Sequence, residues 1–247
     1  MKTIVITGAS RGIGAATALL AGKSSLGVVV NYLTHKQEAE EVANEVEGLG
    51  SKAFLMQADI SKPEEISQMF CRIDRECGSI HGLVNNAGIL EPQMEIADMD
   101  SERLLRVMKT NVFGTIICSQ EAISRMSTEN GGLGGAIVNV SSIAAKTGAP
   151  FEYVDYAVSK GAIDTFTVGL AREVAGEGIR VNAVRPGLIY TTIHSLGGES
   201  GRVDRLKEKI PLRRGGSAAE VAEGILWLLS EKSSFSTGTF IDISGGL

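Results

Sequence analysis

Short apolar runs alternate along the chain with longer segments whose composition favours helices. The apolar runs are rich in Val and Ile and carry few polar residues, which is typical of strands buried on both faces of a parallel sheet. Strands are predicted at Thr3–Thr7, Gly27–Tyr32, Ala53–Gln57, Gly82–Asn85, Ala136–Val140, Arg180–Val184 and Thr239–Ile243. Helices are predicted near Gly12–Ala21, Gln37–Leu49, Pro63–Cys77, Ser101–Met126, Asp155–Gly176 and Ala218–Leu229.

This order of elements predicts an α/β fold. Its centre would be a doubly wound, seven-stranded parallel sheet with helices on both faces and right-handed crossovers. No Pro/Ser-rich linker, block of like charge or internal repeat divides the sequence. We therefore expect residues 1–247 to form a single domain.

One segment departs from the alternation. The stretch from Thr192 to about Gly201 has no clear element, and a short charged helix is predicted to follow it as far as Ile210. A long, glycine-containing excursion inside a compact domain is usually functional. We expect 192–214 to form a substrate-binding lid.

Composition narrows the classes of protein that the chain can represent. Of its 247 residues, 43% are hydrophobic and 21% charged, so it can bury a large core and is not disordered. The net charge of -5 argues against a nucleic-acid partner. No apolar stretch reaches the ~20 residues of a membrane span. No secretory leader is expected, because strand-like residues begin at Lys2.

The cysteines and histidines do not indicate a metal site. Cys71, Cys77 and Cys118 are few and odd in number, and the spacing of the first two matches no usual ligand pattern. The histidines are not spaced as ligands either. We expect free thiols, no metal ion and a cytoplasmic location.

A glycine-rich loop joins the first predicted strand to the first predicted helix. Gly8, Gly12 and Gly14 occur within Thr7–Gly14, directly before the helix formers of residues 15–21. Glycines permit a tight turn and close approach of the backbone to a ligand, and a helix N-terminus offers free N–H groups. The spacing alone is a weak signal, but its place between a strand and a helix predicts a diphosphate site.

Tyr156 and Lys160 lie four residues apart in a predicted helix, so their side chains project from one face. An ammonium group beside a phenol favours phenolate and lowers the pKa of the tyrosine. Tyr156 is therefore a candidate general acid/base, and Ser142 could hydrogen-bond the same substrate oxygen. Taken alone, the tyrosine–lysine pair could also be a surface contact of a helix.

The loop and the tyrosine–lysine pair, in this order, resemble the short-chain dehydrogenase/reductase family. The resemblance covers essentially the whole chain and extends to Asn85–Gly88, Asn111, Ser141, Ser142, Arg185–Gly187 and Thr191. The sequence looks most similar to the NADP-dependent members, which include 3-oxoacyl-carrier-protein reductases and bacterial glucose dehydrogenases. The resemblance implies a Rossmann fold in which one domain both binds a dinucleotide and catalyses the reaction.

The end of the second strand bears on the choice of cofactor. Val29–Tyr32 contains no carboxylate of the kind that binds the ribose 2′-hydroxyl of NAD, whereas a 2′-phosphate requires a basic residue. Arg11 lies inside the glycine loop, and His35 and Lys36 follow the strand. In the resembled family, a basic residue at the position of Arg11 marks NADP preference, so we expect NADP(H) over NAD(H).

The resemblance implies a set of site residues. The catalytic group is expected to comprise Asn111, Ser142, Tyr156 and Lys160. The dinucleotide is expected to contact Gly8, Ser10, Arg11, Gly12, Ile13, Gly14, Asn31, Tyr32, Asp59, Ile60, Asn86, Ala87, Gly88, Tyr156, Lys160, Pro186, Gly187, Ile189 and Thr191. These residues come from all parts of the chain, so the fold must bring them together at the ends of the strands.

The resemblance also implies roles. Tyr156 would exchange a proton with the substrate oxygen while a hydride moves between nicotinamide C4 and the carbonyl carbon. Ser142 would stabilise the oxyanion, and Lys160 would lower the pKa of the tyrosine and bind the nicotinamide ribose. Asn111 would hold a water beside the lysine, and Thr191 would hold the nicotinamide carboxamide.

Alternatives remain open for individual residues and for the function. Tyr153 could compete with Tyr156, although it has no lysine four residues later. Asp59, expected to bind adenine together with Ile60, could be only a turn residue or a helix cap. The competing functions are a catalytically silent dinucleotide-binding regulator and a reductase of carrier-protein-tethered 3-oxoacyl groups.

The expected function is hydride transfer between NADP(H) and a small-molecule carbonyl or secondary alcohol, by an enzyme acting on CH–OH donors. A free substrate is favoured because Ser127–Gly135 lacks the basic residues that many carrier-protein reductases have there. In the resembled family, helices corresponding to Ser101–Met126 and to the tyrosine helix pair across two-fold axes. The resemblance therefore implies a homotetramer. No nucleic-acid or membrane partner is expected.

Overall fold

A single parallel sheet forms the centre of the molecule. The computed structural model describes all residues from 1 to 247. The strands lie in the order β3-β2-β1-β4-β5-β6-β7 and every neighbouring pair is parallel. Their bounds are β1 Thr3–Ile6, β2 Gly27–Tyr32, β3 Ala53–Gln57, β4 Ile80–Asn85, β5 Gly135–Val140, β6 Ile179–Pro186 and β7 Phe240–Ile243. The strand order reverses between β1 and β4, which opens a crevice at their carboxyl ends. The predicted doubly wound, seven-stranded sheet is confirmed.

Helices cover both faces of the sheet. They are α1 Gly12–Lys23, α2 Lys36–Gly48, α3 Pro63–Glu76, α4 Ser101–Met108, α5 Thr115–Met126, α6 Ala144–Thr147, α7 Val154–Glu173, α8 Ile193–Leu196, α9 Arg202–Leu206 and α10 Ala218–Leu229. In β1, Ile4 and Ile6 pack into the core covered by α1, α2 and α10, whereas Val5 packs into the core covered by α3, α5 and α7. Full burial of each such side chain contributes roughly 1.5–3 kcal/mol. None of these helices is long and apolar enough to cross a membrane.

The helical segment predicted near Ser101–Met126 is confirmed, but it is not one regular α-helix. A π-helical turn over Lys109–Gly114 separates α4 from α5. Asn111 lies in this turn, and its side-chain amide bonds the segment that follows β4. A wider turn of this kind accommodates a local departure from α-helical hydrogen bonding and often occurs at functional sites.

The predicted lid segment 192–214 contains two short helices, α8 and α9, and a 3₁₀ turn at Lys207–Lys209. Val203 and Ile210 within it are each only 2% exposed. The segment is therefore packed against the body of the domain through a few apolar side chains.

Candidate active site

A cavity of about 700 Å³ lies at the carboxyl ends of the strands. Its walls include nearly all of the predicted site residues, from the glycine loop to Thr191. Gly14 and Asn111 are the two exceptions. Neither borders the cavity, but each packs against residues that do. The topology thus brings together residues that are far apart in the sequence.

The glycine loop has the geometry of a diphosphate cradle. Gly8 and Gly12 adopt left-handed backbone angles, with φ of 62° and 58°. A Cβ on Gly14 would come within 2.4 Å of the Gly8 carbonyl oxygen, so only glycine lets α1 approach the loop this closely. No side chain caps the first turn of α1, and its N–H groups are free to bind an anion. These residues fit the diphosphate of a dinucleotide.

Asn31 supports the loop through its side chain. Its Oδ1 accepts a hydrogen bond from the Gly8 N–H at 3.1 Å, and its Nδ2 donates to the carbonyls of Met56 and Ala58 at 3.1 and 3.2 Å. The residue is only 2% exposed. Although Asn31 borders the cavity, its amide is already fully engaged, and its role is to hold the loop against β2 and β3.

One end of the cavity is bordered by Arg11, His35 and Asp59. His35 pairs with Glu38 at 3.0 Å, whereas Arg11 belongs to none of the ion pairs in the structure. The Asp59 carboxylate accepts a hydrogen bond from the Ser61 N–H at 2.9 Å. Asp59 therefore does form a local turn, as one interpretation of the sequence held, while still facing the cavity.

The segment after β4 braces the opening between β1 and β4. Asn86 Nδ2 donates to the carbonyls of Thr7 and Gly8, both at 2.9 Å. The backbone N–H groups of Asn86 and Ala87 donate to Thr7 Oγ1, both at 3.0 Å. Because Gly88 lacks a side chain, Lys160 is not screened from the cavity at this point: a Cβ on Gly88 would lie 3.6 Å from Lys160 Nζ.

Lys160 and Tyr156 meet inside the cavity. Lys160 is only 4% exposed, and its Nζ donates to the Val140 carbonyl at 2.8 Å. Nζ lies 5.5 Å from the centre of the Tyr156 ring. Burial lowers the pKa of Lys160 to about 8, an effect that nearby Asp164 partly opposes.

The pKa of Tyr156 departs from the expectation based on the sequence. Burial raises the pKa of the phenol to about 12, and the neighbouring Ser142 hydroxyl only partly offsets this increase. The predicted lowering by Lys160 is wrong for this structure, because the ammonium group bonds the Val140 carbonyl and lies against the ring. Desolvation therefore dominates, and Tyr156 holds its proton at neutral pH.

Asn111 clamps the segment after β4 to α7. Its Oδ1 accepts from the Ile89 N–H at 2.8 Å, and its Nδ2 donates to the Ile89 carbonyl at 3.0 Å and to Ser159 Oγ at 3.1 Å. Both hydrogens of the amide are thus used by protein groups. Asn111 can therefore bind a water near Lys160 only as an acceptor, through Oδ1 or its backbone carbonyl.

Tyr153 has a different role from Tyr156. It is only 4% exposed, and its hydroxyl donates to the Gly197 carbonyl at 3.0 Å. The Arg202 guanidinium lies 5.0 Å from the centre of its ring and pairs with Glu152 and Glu199. Tyr153 therefore fastens segment 192–214 to the domain, and its hydroxyl proton is used by the Gly197 carbonyl.

Two residues of segment 192–214 that lie in the cavity wall, Arg202 and His194, were not among the predicted site residues. Arg202 belongs to the charged helix predicted from the sequence, yet only 11% of its side chain is exposed. His194 Nε2 lies 3.0 Å from the Ile189 carbonyl, and burial lowers the pKa of His194, so a neutral ring donates this hydrogen bond. No sequence signal indicated the role of Arg202, because its partner Glu152 lies 50 residues away.

Known proteins show the same combination of sequence and fold. The family model described as enoyl-(acyl carrier protein) reductase matches residues 8–247. The chain is 55% identical to the uncharacterized oxidoreductase YgfF of Escherichia coli (strain K12), with 100% of both chains covered. It is 36% identical to glucose 1-dehydrogenase 2 of Bacillus subtilis (strain 168), covering 100% of this chain and 94% of the relative. It is 34% identical to the 3-oxoacyl-(acyl-carrier-protein) reductase FabG of Staphylococcus epidermidis, covering 100% and 98%.

Solved structures agree. A short-chain type dehydrogenase/reductase from Mycobacterium marinum superposes with a TM-score of 0.92 at 34% identity, over 99% of this chain and 94% of that one. The landomycin C-6 ketoreductase LanV, solved with bound NADP and rabelomycin, gives a TM-score of 0.86 at 31% identity, over 99% and 95%. With the family model matching residues 8–247 and relatives spanning the full chain, this protein belongs to the short-chain dehydrogenase/reductase family of oxidoreductases.

Proposed function

We propose that the protein reduces small, free carbonyl compounds with NADPH, or oxidises the corresponding secondary alcohols with NADP. The observation that carries this proposal is the meeting of Tyr156, Ser142 and Lys160 in the same cavity as the glycine loop. A dinucleotide bound along the loop would supply or accept the hydride at nicotinamide C4. The protein's own residues must bind the substrate oxygen and manage its proton.

Tyr156 is the proposed proton donor. With a pKa of about 12, its phenol is protonated at neutral pH and can give its proton to the oxygen of a carbonyl that is being reduced. The Ser142 hydroxyl accepts a hydrogen bond from the Ala144 N–H at 3.1 Å. It also hydrogen-bonds the Tyr156 phenol, which places both hydroxyls around one position. There Ser142 would donate to the substrate oxygen and stabilise developing negative charge.

Lys160 is the proposed link between the tyrosine and the cofactor ribose. Its bond to the Val140 carbonyl fixes the end of an otherwise flexible side chain inside the cavity. The ammonium fixed there would bind the hydroxyls of the nicotinamide ribose when a dinucleotide occupies the cavity. Asn111 supports this arrangement by tying α7 to the chain beside Gly88.

A panel of uncharged ketones, aldehydes, sugars and 3-oxoacyl thioesters, scored by NADPH consumption, tests the proposed function. We expect turnover of free ketones or aldehydes. If NADPH binds but none of the compounds is turned over, the protein would instead be a silent dinucleotide-binding regulator. Turnover of carrier-protein thioesters alone would favour the tethered reaction.

A free substrate is favoured by the charges around the lid. Docking an acidic carrier protein calls for unpaired basic side chains near the entrance. Three basic side chains of the segment each form an ion pair with a carboxylate. The pairs are Arg214–Glu220, Lys207–Asp204 and Arg213–Glu208. These pairs leave little excess positive charge beside the cavity.

Arg11 is proposed to bind the 2′-phosphate of NADP(H). Arg11→Ala is expected to weaken NADPH binding by about 10- to 100-fold, because a hydrogen bond to a charged group contributes roughly 1.5–3 kcal/mol. NADH binding should hardly change. Fluorescence titrations of both cofactors measure this, with Lys36→Ala as the matched control since Lys36 pairs with Glu40 on α2. Equal affinities of the unmutated protein for NADPH and NADH would contradict the assignment.

Residues 192–214 are proposed to act as a lid over the substrate. Leu196 borders the cavity and is 45% exposed, so a bound ligand would give it an apolar surface to cover. We expect the amides of 192–210 to exchange rapidly in the free protein and to become protected when cofactor and substrate bind. If hydrogen exchange finds them as protected without ligands as the central strands, the lid proposal is wrong.

A homotetramer is the proposed assembly. Leu105, Phe113 and Val158 are large apolar side chains exposed around α4, the π-helical turn and α7. Trp227 and Phe235 are exposed at α10 and the segment that follows it. Two separate apolar surfaces suit a dihedral assembly, in which each subunit uses two isologous interfaces.

Sedimentation at micromolar concentration is expected to give a tetramer, with a dimer as the second choice. Val158→Asp should yield a smaller species, because it places a charge in the first surface. Leu133→Asp is the matched control, since Leu133 is exposed in the loop before β5. An unmutated protein that sediments only as a monomer would refute the assembly.

A further inference from the structure

A buried ion pair lies at the start of α7, the helix that carries Tyr156, and outside the cavity. Arg103 of α4 and Asp155 of α7 have side chains only 4% and 2% exposed. Arg103 Nε donates to Asp155 Oδ2 at 2.7 Å, and Nη2 lies 3.4 Å from Oδ1. Neither residue borders the cavity, and the proposed mechanism uses neither.

The Asp155 carboxylate also bonds the backbone of the catalytic tyrosine. Its Oδ1 accepts a hydrogen bond from the Tyr156 N–H at 2.9 Å. The residue before α7, Tyr153, supplies no side-chain cap, so this carboxylate satisfies one of the free N–H groups of the first turn. The same carboxylate thus bonds both the Arg103 guanidinium and the Tyr156 backbone.

Arg103 in turn joins three segments around the start of α7. Its backbone N–H donates to Asp100 Oδ1 at 2.7 Å, which fixes the first turn of α4. Its Nη1 donates to the Pro92 carbonyl at 2.6 Å. This loop is also linked to the segment just before α7, because the Met94 N–H donates to the Glu152 carbonyl at 3.0 Å.

A buried ion pair adds little net stability compared with a well-packed apolar pair, because both charges lose their hydration. Its hydrogen bonds are directional, however, and they fix the relative placement of the groups they join. A misplacement of about 1 Å at a reacting group can cost on the order of 100-fold in rate. Directional bonds ending on the backbone of Tyr156 are suited to prevent such an error.

We infer that Arg103 and Asp155 are positioning residues that set the placement of the Tyr156 phenol in the cavity. The inference rests on the proposed role of Tyr156 as proton donor. It assigns to the ion pair an effect on turnover that is separate from its contribution to folding.

Kinetics of Arg103→Met, Asp155→Asn and Arg103→Lys test the inference, with NADPH and the best ketone of the panel. We expect the first two to lower kcat by at least about tenfold while the Kd for NADPH changes by less than about threefold. Arg103→Lys should recover part of kcat, since it keeps the charge but loses two donors. Arg125→Met is the matched control, because Arg125 joins α3 and α5 through Asp74 and Glu121 at a distance from the cavity.

A spectroscopic measurement avoids dependence on the substrate. The protein has four tyrosines, so its fluorotyrosine NMR spectrum can be assigned by the loss of one resonance in Tyr156→Phe. We expect this resonance to shift or split in Asp155→Asn and in Arg103→Met, or in Arg103→Lys if the methionine variant does not fold. It should not change in Arg125→Met.

Two results would overturn the inference. One is an unshifted Tyr156 resonance together with kcat within about twofold of the unmutated protein. The other is a loss of kcat in Arg125→Met that matches the loss in Arg103→Met, since the effect would then reflect stability alone. If Tyr156→Phe keeps full activity, the proposed function fails instead, which is a distinguishable outcome.

Discussion

Tyr156→Phe is expected to lower kcat by at least about two orders of magnitude, the usual range for the loss of a general acid. The substitution removes the transferable proton and keeps the ring that borders the cavity. Because no loop or backbone contact of the glycine cradle changes, the Kd for NADPH should stay nearly the same. Steady-state kinetics and a fluorescence titration of the same preparation separate the two effects.

Tyr153→Phe is the matched control for this prediction. It removes a hydroxyl that donates to the Gly197 carbonyl, so it should loosen the lid and raise KM more than it lowers kcat. The assignment would be reversed if Tyr156→Phe kept a near-normal kcat while Tyr153→Phe lost most of its kcat. Tyr153 would then be the proton donor.

Lys160→Met is expected to abolish most turnover and at the same time to stabilise the cofactor-free protein at pH 7. The folded state holds the ammonium in a buried site, where its pKa falls from 10.5 to about 8. Each unit of such a shift corresponds to 1.36 kcal/mol. After subtracting about 1 kcal/mol for the lost hydrogen bond to the Val140 carbonyl, the free energy of unfolding should rise by on the order of 2 kcal/mol.

The pH dependence of this stabilisation follows from the direction of the shift. Below about pH 8 the lysine is charged in both states, so its burial fully destabilises the unmutated protein. Between about 8 and 10.5 the folded protein loses this proton first, and the difference from Lys160→Met shrinks. Denaturant unfolding of both proteins across this range checks the prediction. A variant less stable than the unmutated protein at pH 7 would contradict the burial argument.

The architecture could be predicted from local sequence because the strands are buried on both faces and therefore apolar throughout. β2 and β3 occur as predicted, at Gly27–Tyr32 and Ala53–Gln57. β4 begins two residues earlier than predicted, since His81 interrupts its apolar run. The division of the helix at Lys109–Gly114 depends on the bonds between Asn111 and a distant segment, which no helix propensity encodes.

The candidate site was predictable where a motif lies within one strand–loop–helix unit or on one helix face. Gly8 and Tyr156 belong to this class, and both border the cavity. The supporting interactions were not predictable, because they join residues far apart in sequence. Arg103 and Asp155 are separated by 52 positions, and each alone reads as an ordinary surface charge. The raised pKa of Tyr156 likewise depends on burial, which local spacing does not reveal.

Hydride transfer itself is tested most directly with NADPH deuterated on the transferable face of nicotinamide C4. The protein is incubated with this cofactor and the best ketone of the panel, and the product alcohol is analysed by mass spectrometry and NMR. The account predicts one deuterium on the carbinol carbon of the product, and no labelled product from Tyr156→Phe on the same timescale. The account would be contradicted if the product alcohol carried no deuterium after separate incubations with NADPH labelled on each face. It would also be contradicted if labelled product formed only when deuterated NADH replaced NADPH.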